Sequence, residues 1–281
     1  MNGPQHIVAY CSPAGSTAGL AEVIEQELTE REAAVSRLNL GNPGWEGRAR
    51  ELIAVGANLF LWLGSPVYAL HPVPPVEAFL GWLPDPTGRA FAVPFVTWGA
   101  VTSGTALLEM GRALEVKGFQ LAGAAAVPAR HSSMWQSEQP PGAGRPDARD
   151  KTKLAGLVRE VLSALSKGAL SGISSEVLDY QSESVKRFAG EIDIDKAKQG
   201  HPGYRFDQDL CTQCGICRDN CPAGAIRLDP FPVRDENCFV CNACARLCPE
   251  GAMSLDSSGM EKRLRGLQEL FREEQTVRLF F

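Results

Sequence analysis

Eight cysteines in one short stretch constrain this chain more than any other feature. Cys211, Cys214, Cys217 and Cys221-Pro222 are followed by Cys238, Cys241, Cys244 and Cys248-Pro249. The pattern C-x₂-C-x₂-C-x₃-C-P is therefore written twice. Three closely spaced cysteines wrap one corner of a cluster, and thiolates are the ligands that iron–sulfur clusters take. Structural zinc sites space their ligands as separated pairs, often with histidine. Triplets with a trailing Cys-Pro do not fit that pattern, and the nearby histidine is His201 alone. A disulfide framework belongs to exported chains, and no export signal is expected here.

The repeat extends past the ligands. Cys221-Pro-Ala-Gly-Ala-Ile-Arg-Leu-Asp229 mirrors Cys248-Pro-Glu-Gly-Ala-Met-Ser-Leu-Asp256, so one supersecondary unit is used twice. Gly215 follows a ligand, where a missing side chain lets backbone N–H groups approach sulfide, and Ile216 and Ala243 are apolar, as a dry cluster needs. Residues 202–257 resemble a bacterial-type ferredoxin with two [4Fe-4S] clusters. In such ferredoxins the fourth cysteine of each run ligates the other cluster. The resemblance implies one set of Cys211, Cys214, Cys217 and Cys248, and a second of Cys238, Cys241, Cys244 and Cys221.

A chain of 281 residues has room for about two domains. A net charge of −5 with no basic block argues against nucleic-acid binding. No apolar run approaches the ~20 residues of a membrane span, and the N-terminus has no basic signal-peptide region. The expectation is a cytoplasmic protein, and exposed cubanes favour a reducing, anaerobic cell.

The first half alternates strand and helix. His6–Tyr10 is short and apolar and predicts a buried strand. A turn of small and hydroxyl residues, 11–17, leads into a helical stripe of Leu20, Val23, Ile24 and Leu28. Such a loop and the following helix N-terminus present N–H groups to an anion. Further strands are predicted over 35–40, 58–64, 90–97 and 120–127. Helices are predicted over 45–55, 75–83 and 107–117, and a closing helix carries Leu154, Leu157, Val158, Val161, Leu162 and Leu165. The 58–64 run is nearly all apolar, as when both faces of a strand are covered. Gly118 suits a helix C′ stop. Five strands alternating with helices predict a doubly wound α/β fold, with its ligand at the carboxyl ends of the strands. The loops there are 11–17, 65–74, 98–104 and 128–135.

These loops resemble those of flavodoxins, over about residues 5–168. Ser12-Pro13-Ala14-Gly15-Ser16-Thr17 is similar to the loop that grips the FMN phosphate. Ser65-Pro66-Val67-Tyr68 is similar to the second flavin loop. Trp98, Gly99, Ala100, Ser103 and Gly104 are similar to the third. The resemblance implies a five-stranded parallel sheet that binds FMN, with Tyr68 or Trp98 against the isoalloxazine. Ala14 stands where the family usually carries Thr, which removes one hydroxyl contact to phosphate. No G-x-G-x-x-G follows the first strand, so a nicotinamide-binding reading fits less well. His131 is a candidate proton donor, and Cys11 reads as a small buried residue.

The expected organisation is a flavodoxin-like domain over 1–168, a connector over 169–201, a ferredoxin domain over 202–257, and a helix with an apolar tail over 258–281. The tail is expected to dock within the chain. The whole resembles the flavodoxin–ferredoxin fusions of anaerobes. That implies an electron-transfer protein serving redox partner proteins, or alternatively an FMN-dependent reductase of a small substrate supplied by the clusters. Specific DNA binding that depended on cluster state would favour a sensor, for which no DNA-binding motif is recognisable. Two four-iron frames predict about eight iron atoms and eight acid-labile sulfides per chain in protein purified without air. Iron and sulfide analysis checks this, and stoichiometric zinc without sulfide would sink it.

Overall fold

The structure is a computed structural model that describes residues 4–53 and 58–281. The expected helix over 45–55 therefore ends partly outside the described residues. The elements of the first half, in order, are β1 (Gln5–Tyr10), α1 (Ser16–Thr29), β2 (Val35–Asn39), α2 (Trp45–Ile53) and β3 (Asn58–Tyr68). They are followed by β4 (His71–Pro72), α3 (Pro74–Trp82), β5 (Arg89–Trp98), α4 (Ala106–Val116), β6 (Gln120–Leu121), β7 (Ala124–Pro128) and α5 (Ala148–Ser166). The connector holds α6 (Glu183–Glu191) and α7 (Ile194–Gln199). The cysteine-rich part holds β8 (Arg205–Phe206), α8 (Ile216–Asp219), β9 (Ile226–Leu228), β10 (Pro232–Arg234), α9 (Ala243–Leu247) and β11 (Met253–Ser254). Then come α10 (Ser258–Phe271) and β12 (Arg278–Phe280).

The main strands run β2-β1-β3-β5-β7, all parallel. Counted by themselves these five strands have the order 2-1-3-4-5, the flavodoxin-like doubly wound order. One face buries Val8, Phe60, Trp62, Val93 and Phe95 under α1 and α5, and the other buries Leu61, Leu63, Ala92 and Val96 under α3 and α4. Burial on both faces explains why these strands read as continuous apolar runs.

Two strands differ from the sequence expectation. β3 does not stop at Gly64 but carries Ser65–Tyr68 as strand, because Ser65 and Pro66 stay in register with Val96 and Thr97 of β5. It then turns through Ala69 (φ 49°) and Leu70 (φ 72°) into β4. Two non-glycine residues at positive φ are costly, and the neighbouring loop braces the turn. The Leu70 carbonyl accepts the Thr105 amide at 2.9 Å. Gly104 (φ +58°) packs so tightly on Leu70 that a Cβ would collide with its backbone. The expected 120–127 strand is broken at Ala122–Gly123 into β6 and β7. Gly123 (φ +153°) leaves room for the Phe280 carbonyl, which a Cβ would meet at 2.9 Å.

That carbonyl belongs to the C-terminal tail. β12 pairs antiparallel with β7, Leu279 opposite Ala125, and covers the sheet's outer edge. The connector is also more ordered than its polar composition suggests. Ser182 caps α6, Asp193 caps α7, and Ile173 bridges to Leu121.

His71 ties the connector to the α/β half. Its Nδ1 meets Glu109 Oε1 at 2.8 Å, and its Nε2 meets the carbonyls of Ala189 and Ile192 at 3.0 and 2.9 Å. All three partners accept, so the imidazolium satisfies them best. The Glu109 hydrogen bond raises the His71 pKa to about 9, against the opposing effect of burial. Its folded pKa lies above the ordinary value of about 6.5. Its stabilisation is thus complete below about pH 6.5 and lost as pH rises through about 9. The thermal midpoint of wild type over His71→Gln should exceed zero by a few degrees below pH 6.5 and shrink toward zero near pH 9. Melting curves of both proteins across that range check this.

Candidate cofactor site

The carboxyl ends of β1, β3, β5 and β7 open on a cavity of about 390 Å³. Ser12, Pro13, Ala14, Ser16 and Thr17 line one side. Pro66, Val67 and Tyr68 line another, and Trp98, Gly99 and His131 complete the inner wall. The other expected flavin residues, Gly15, Ser65, Ala100, Ser103 and Gly104, lie outside this wall. Gly15 (φ 92°) instead shapes the turn into α1. Ser65 Oγ donates to the Pro66 carbonyl and accepts the Val73 amide. The Ser103 hydroxyl is held by Glu273 at 2.5 Å and by the Tyr180 hydroxyl at 2.7 Å. Glu273 also accepts from the Thr102 hydroxyl and the Ser103 amide, so this loop is clasped from the C-terminal segment.

The 12–17 loop keeps free donors. Thr17 Oγ1 is committed to Thr97 Oγ1 at 2.8 Å, and Ser12 Oγ accepts the Ala18 amide at 2.9 Å. No hydrogen bond satisfies the Ser16 and Thr17 amides among the described residues. They stand at the positive end of a 14-residue helix with no acidic residue in its first turn. The amides and the Ser16 hydroxyl suit an anion.

Two wall residues carry a buried polar atom without a close hydrogen bond, the Tyr68 hydroxyl, which has only the Ser132 side chain near it, and the Trp98 Nε1. Such orphans are rare in folded proteins, and a bound group with polar atoms would satisfy them. Burial, with the Cys241 thiol close by, pushes the Tyr68 pKa up, so its hydroxyl keeps its proton. His131 packs so closely on Gly99 that a Cβ there would meet its ring at 2.5 Å. Burial lowers its pKa to about 4, so the ring is neutral at pH 7. Its Nδ1 accepts the Ser133 amide at 3.3 Å, which leaves the proton on Nε2.

The outer wall comes from beyond the α/β half. Phe188 and Ile192 of the connector and Met260, Leu264 and Leu267 of α10 make it apolar, with Arg263 at the mouth. Val240, from the second cysteine run, lines it too.

In the cysteine-rich part, a small cavity of about 20 Å³ is lined by Cys211, Cys214, Cys217 and Cys248, with Cys244 also at its edge. Gly215 (φ +80°) caps α8 beside it. Cys241 stands among Cys244, Cys221 and Cys238. Burial pushes the Cys241 thiol up to about 12 and the Cys244 thiol up to about 11. Thiolates so withdrawn from water need a cationic partner, and coordination to metal deprotonates a thiol outright. Cys214 is exposed, whereas Cys241 is buried.

The second run packs into the α/β half. Phe239, Cys241 and Ala243 share one core with Cys11, Leu63 and Trp98. The Phe239 and Tyr68 rings lie 5.9 Å apart. Asn242, buried and at φ 63°, donates to Ser133 Oγ at 3.1 Å and accepts from Tyr204 at 2.7 Å. Arg246 Nη2 donates to the Pro13 carbonyl of the anion loop. Sequence reading missed Phe239, Asn242, Arg246 and the α10 wall, because nothing local says where a cysteine-rich loop docks. Cys11 is fully buried, as expected.

Parts of the chain are similar to known proteins. The 4Fe-4S binding domain family matches residues 204–227. An uncharacterized ferredoxin of Methanocaldococcus jannaschii is 42% identical over 40 residues, 14% of this chain and 55% of that protein's length. Among solved structures, the rubredoxin oxygen:oxidoreductase of the anaerobe Desulfovibrio gigas superposes with a TM-score of 0.47 at 17% identity. It covers 60% of this chain and 38% of that one. A flavodoxin from the domain Archaea does so at 0.42 and 15%, over 58% and 99%. The α/β half thus has the flavodoxin-like strand order, and the cysteine-rich part carries a match to a 4Fe-4S binding domain. Among the described residues no helix is long and apolar enough to cross a membrane.

If the ligand sets cross as the ferredoxin resemblance implies, Cys248→Ser disturbs the cluster of Cys211, Cys214 and Cys217, and Cys221→Ser disturbs the other. Iron should fall from about eight toward about four per chain in each variant. EPR of the two variants should lose different signals. Disturbance confined to each variant's own sequence run would refute the crossing.

Proposed function

We propose that this protein is an electron carrier in which two [4Fe-4S] clusters exchange electrons with a bound FMN and with redox partner proteins. FMN supplies one- and two-electron chemistry and each cluster one-electron exchange, while the protein positions and tunes them. The observation that carries the reading is that Val240, between the buried Phe239 and Cys241, lines the cavity that Tyr68 and Trp98 also line. The cluster set containing Cys241 then lies against the flavin cavity. The set containing the exposed Cys214 lies toward solvent, where a partner protein can meet it.

The 12–17 loop would hold the FMN phosphate through the free amides and Ser16. Tyr68 and Trp98 would flank the ring system, and the orphan hydroxyl and indole N–H would find acceptors on it. The expected divisions at 168, 201 and 257 remain a proposal about sequence units, and the connector and α10 wall the same cavity as the α/β loops.

One observation favours the alternative, an FMN-dependent reductase. The neutral His131 holds a proton on Nε2 in the cavity wall, beside an apolar outer wall with Arg263 at its mouth. A small apolar substrate with an anionic group fits that chemistry.

The reading is tested in full-length protein, because a chain cut at residue 168 lacks much of the cavity wall. A photoreduced protein donor too large to enter the cavity is mixed anaerobically with wild type and with Cys241→Ser, each at matched flavin content. Wild type should show a flavin-reduction phase independent of protein concentration, and the variant should lose most of it. Equal rates in both proteins would show that the clusters do not feed the flavin. Stoichiometric turnover of a small acceptor at a rate set by His131 would move the assignment to the reductase.

A further inference from the structure

The second cysteine run carries an arginine with unfinished chemistry. Arg246 lies on α9 between the ligands Cys244 and Cys248. Its Nη2 donates to the Pro13 carbonyl, which fixes the guanidinium against the 12–17 loop. Its Nη1 is buried and has no hydrogen-bond partner. No carboxylate pairs with Arg246 among the described residues, although thirteen ion pairs are formed elsewhere.

A guanidinium N–H withdrawn from water without an acceptor is costly. The loop it touches adds the unsatisfied amides of Ser16 and Thr17 and the positive end of α1. Three kinds of positive group thus meet at the 12–17 loop, and among the described residues no carboxylate pairs with them. A phosphate supplies both the charge and the oxygen acceptors, and arginine binds phosphate through paired charge-assisted hydrogen bonds.

We propose that Arg246, delivered by the iron–sulfur domain, is the cationic anchor of the flavin phosphate. This rests on the FMN reading and adds to it a residue from outside the flavodoxin-like fold. Arg246 takes the place of the loop hydroxyl that is missing at Ala14. Because α9 also supplies a cluster ligand, phosphate binding and docking of the iron–sulfur domain share one side chain. Each therefore strengthens the other by the same factor.

The test measures affinity rather than turnover. Full-length protein is stripped of flavin with its clusters intact, and FMN and riboflavin are titrated by fluorescence quenching. Wild type should prefer FMN. Arg246→Gln should weaken FMN by about 10- to 100-fold, the worth of a charge-assisted hydrogen bond, and leave riboflavin unchanged. Iron and sulfide analysis establishes that the clusters remain. If the glutamine variant loses iron, the neutral Arg246→Met, which keeps the aliphatic stem, decides: a loss for FMN alone supports the anchor, and unchanged FMN affinity overturns it. Equal weakening of FMN and riboflavin, or none, also overturns it while the FMN reading stands. A wild type that binds both flavins equally removes the phosphate site itself, and this proposal with it.

Discussion

The packing of residues 239–243 into the carboxyl end of the α/β sheet governs the arrangement of everything around it. Phe239, Cys241 and Ala243 are buried among residues of β1, β3 and β5. A cysteine-rich loop is usually surface, so this burial needs polar compensation. Asn242 provides it, with its amide on Ser133 and its oxygen shared by Tyr204 and His201. One residue thus joins the loop after β7, the strand-poor start of the iron–sulfur domain, and α9.

Much of this was legible from residue patterns. Four of the five strands followed from apolar runs and β2 from Val35, Leu38 and Leu40, and α4 ended at Gly118 because a positive φ (85°) is needed there. The anion loop was legible in Gly15 and Ser16. What stayed hidden depended on distant partners. β3 extends through Tyr68 because β5 continues alongside it. Ser103 and Gly104 read as flavin contacts, yet Glu273 claims the first and Leu70 crowds the second. Local sequence cannot show that a residue near the C-terminus will occupy a loop's hydroxyl.

The cysteine motifs were plain from spacing alone, but their asymmetry was not. The two runs are near repeats, and only one of them is drawn into the α/β core. The difference arises from what lies between the ligands. Phe239-Val240 separates Cys238 from Cys241, whereas Thr212-Gln213 separates Cys211 from Cys214. Two apolar residues make one run dock, and two polar residues leave the other facing water.

The pairing of β12 with β7 has a consequence for how the molecule is made. Residues 278–280 emerge from the ribosome after the whole cysteine repeat, yet they finish the edge of a sheet begun at residue 5. During synthesis that edge stays open while the iron–sulfur domain appears. An unpaired edge strand is a template for wrong pairing, so the nascent protein is most vulnerable in that interval. Synthesis order makes the iron–sulfur segment an insertion into the sheet's assembly rather than an appendage to a finished domain.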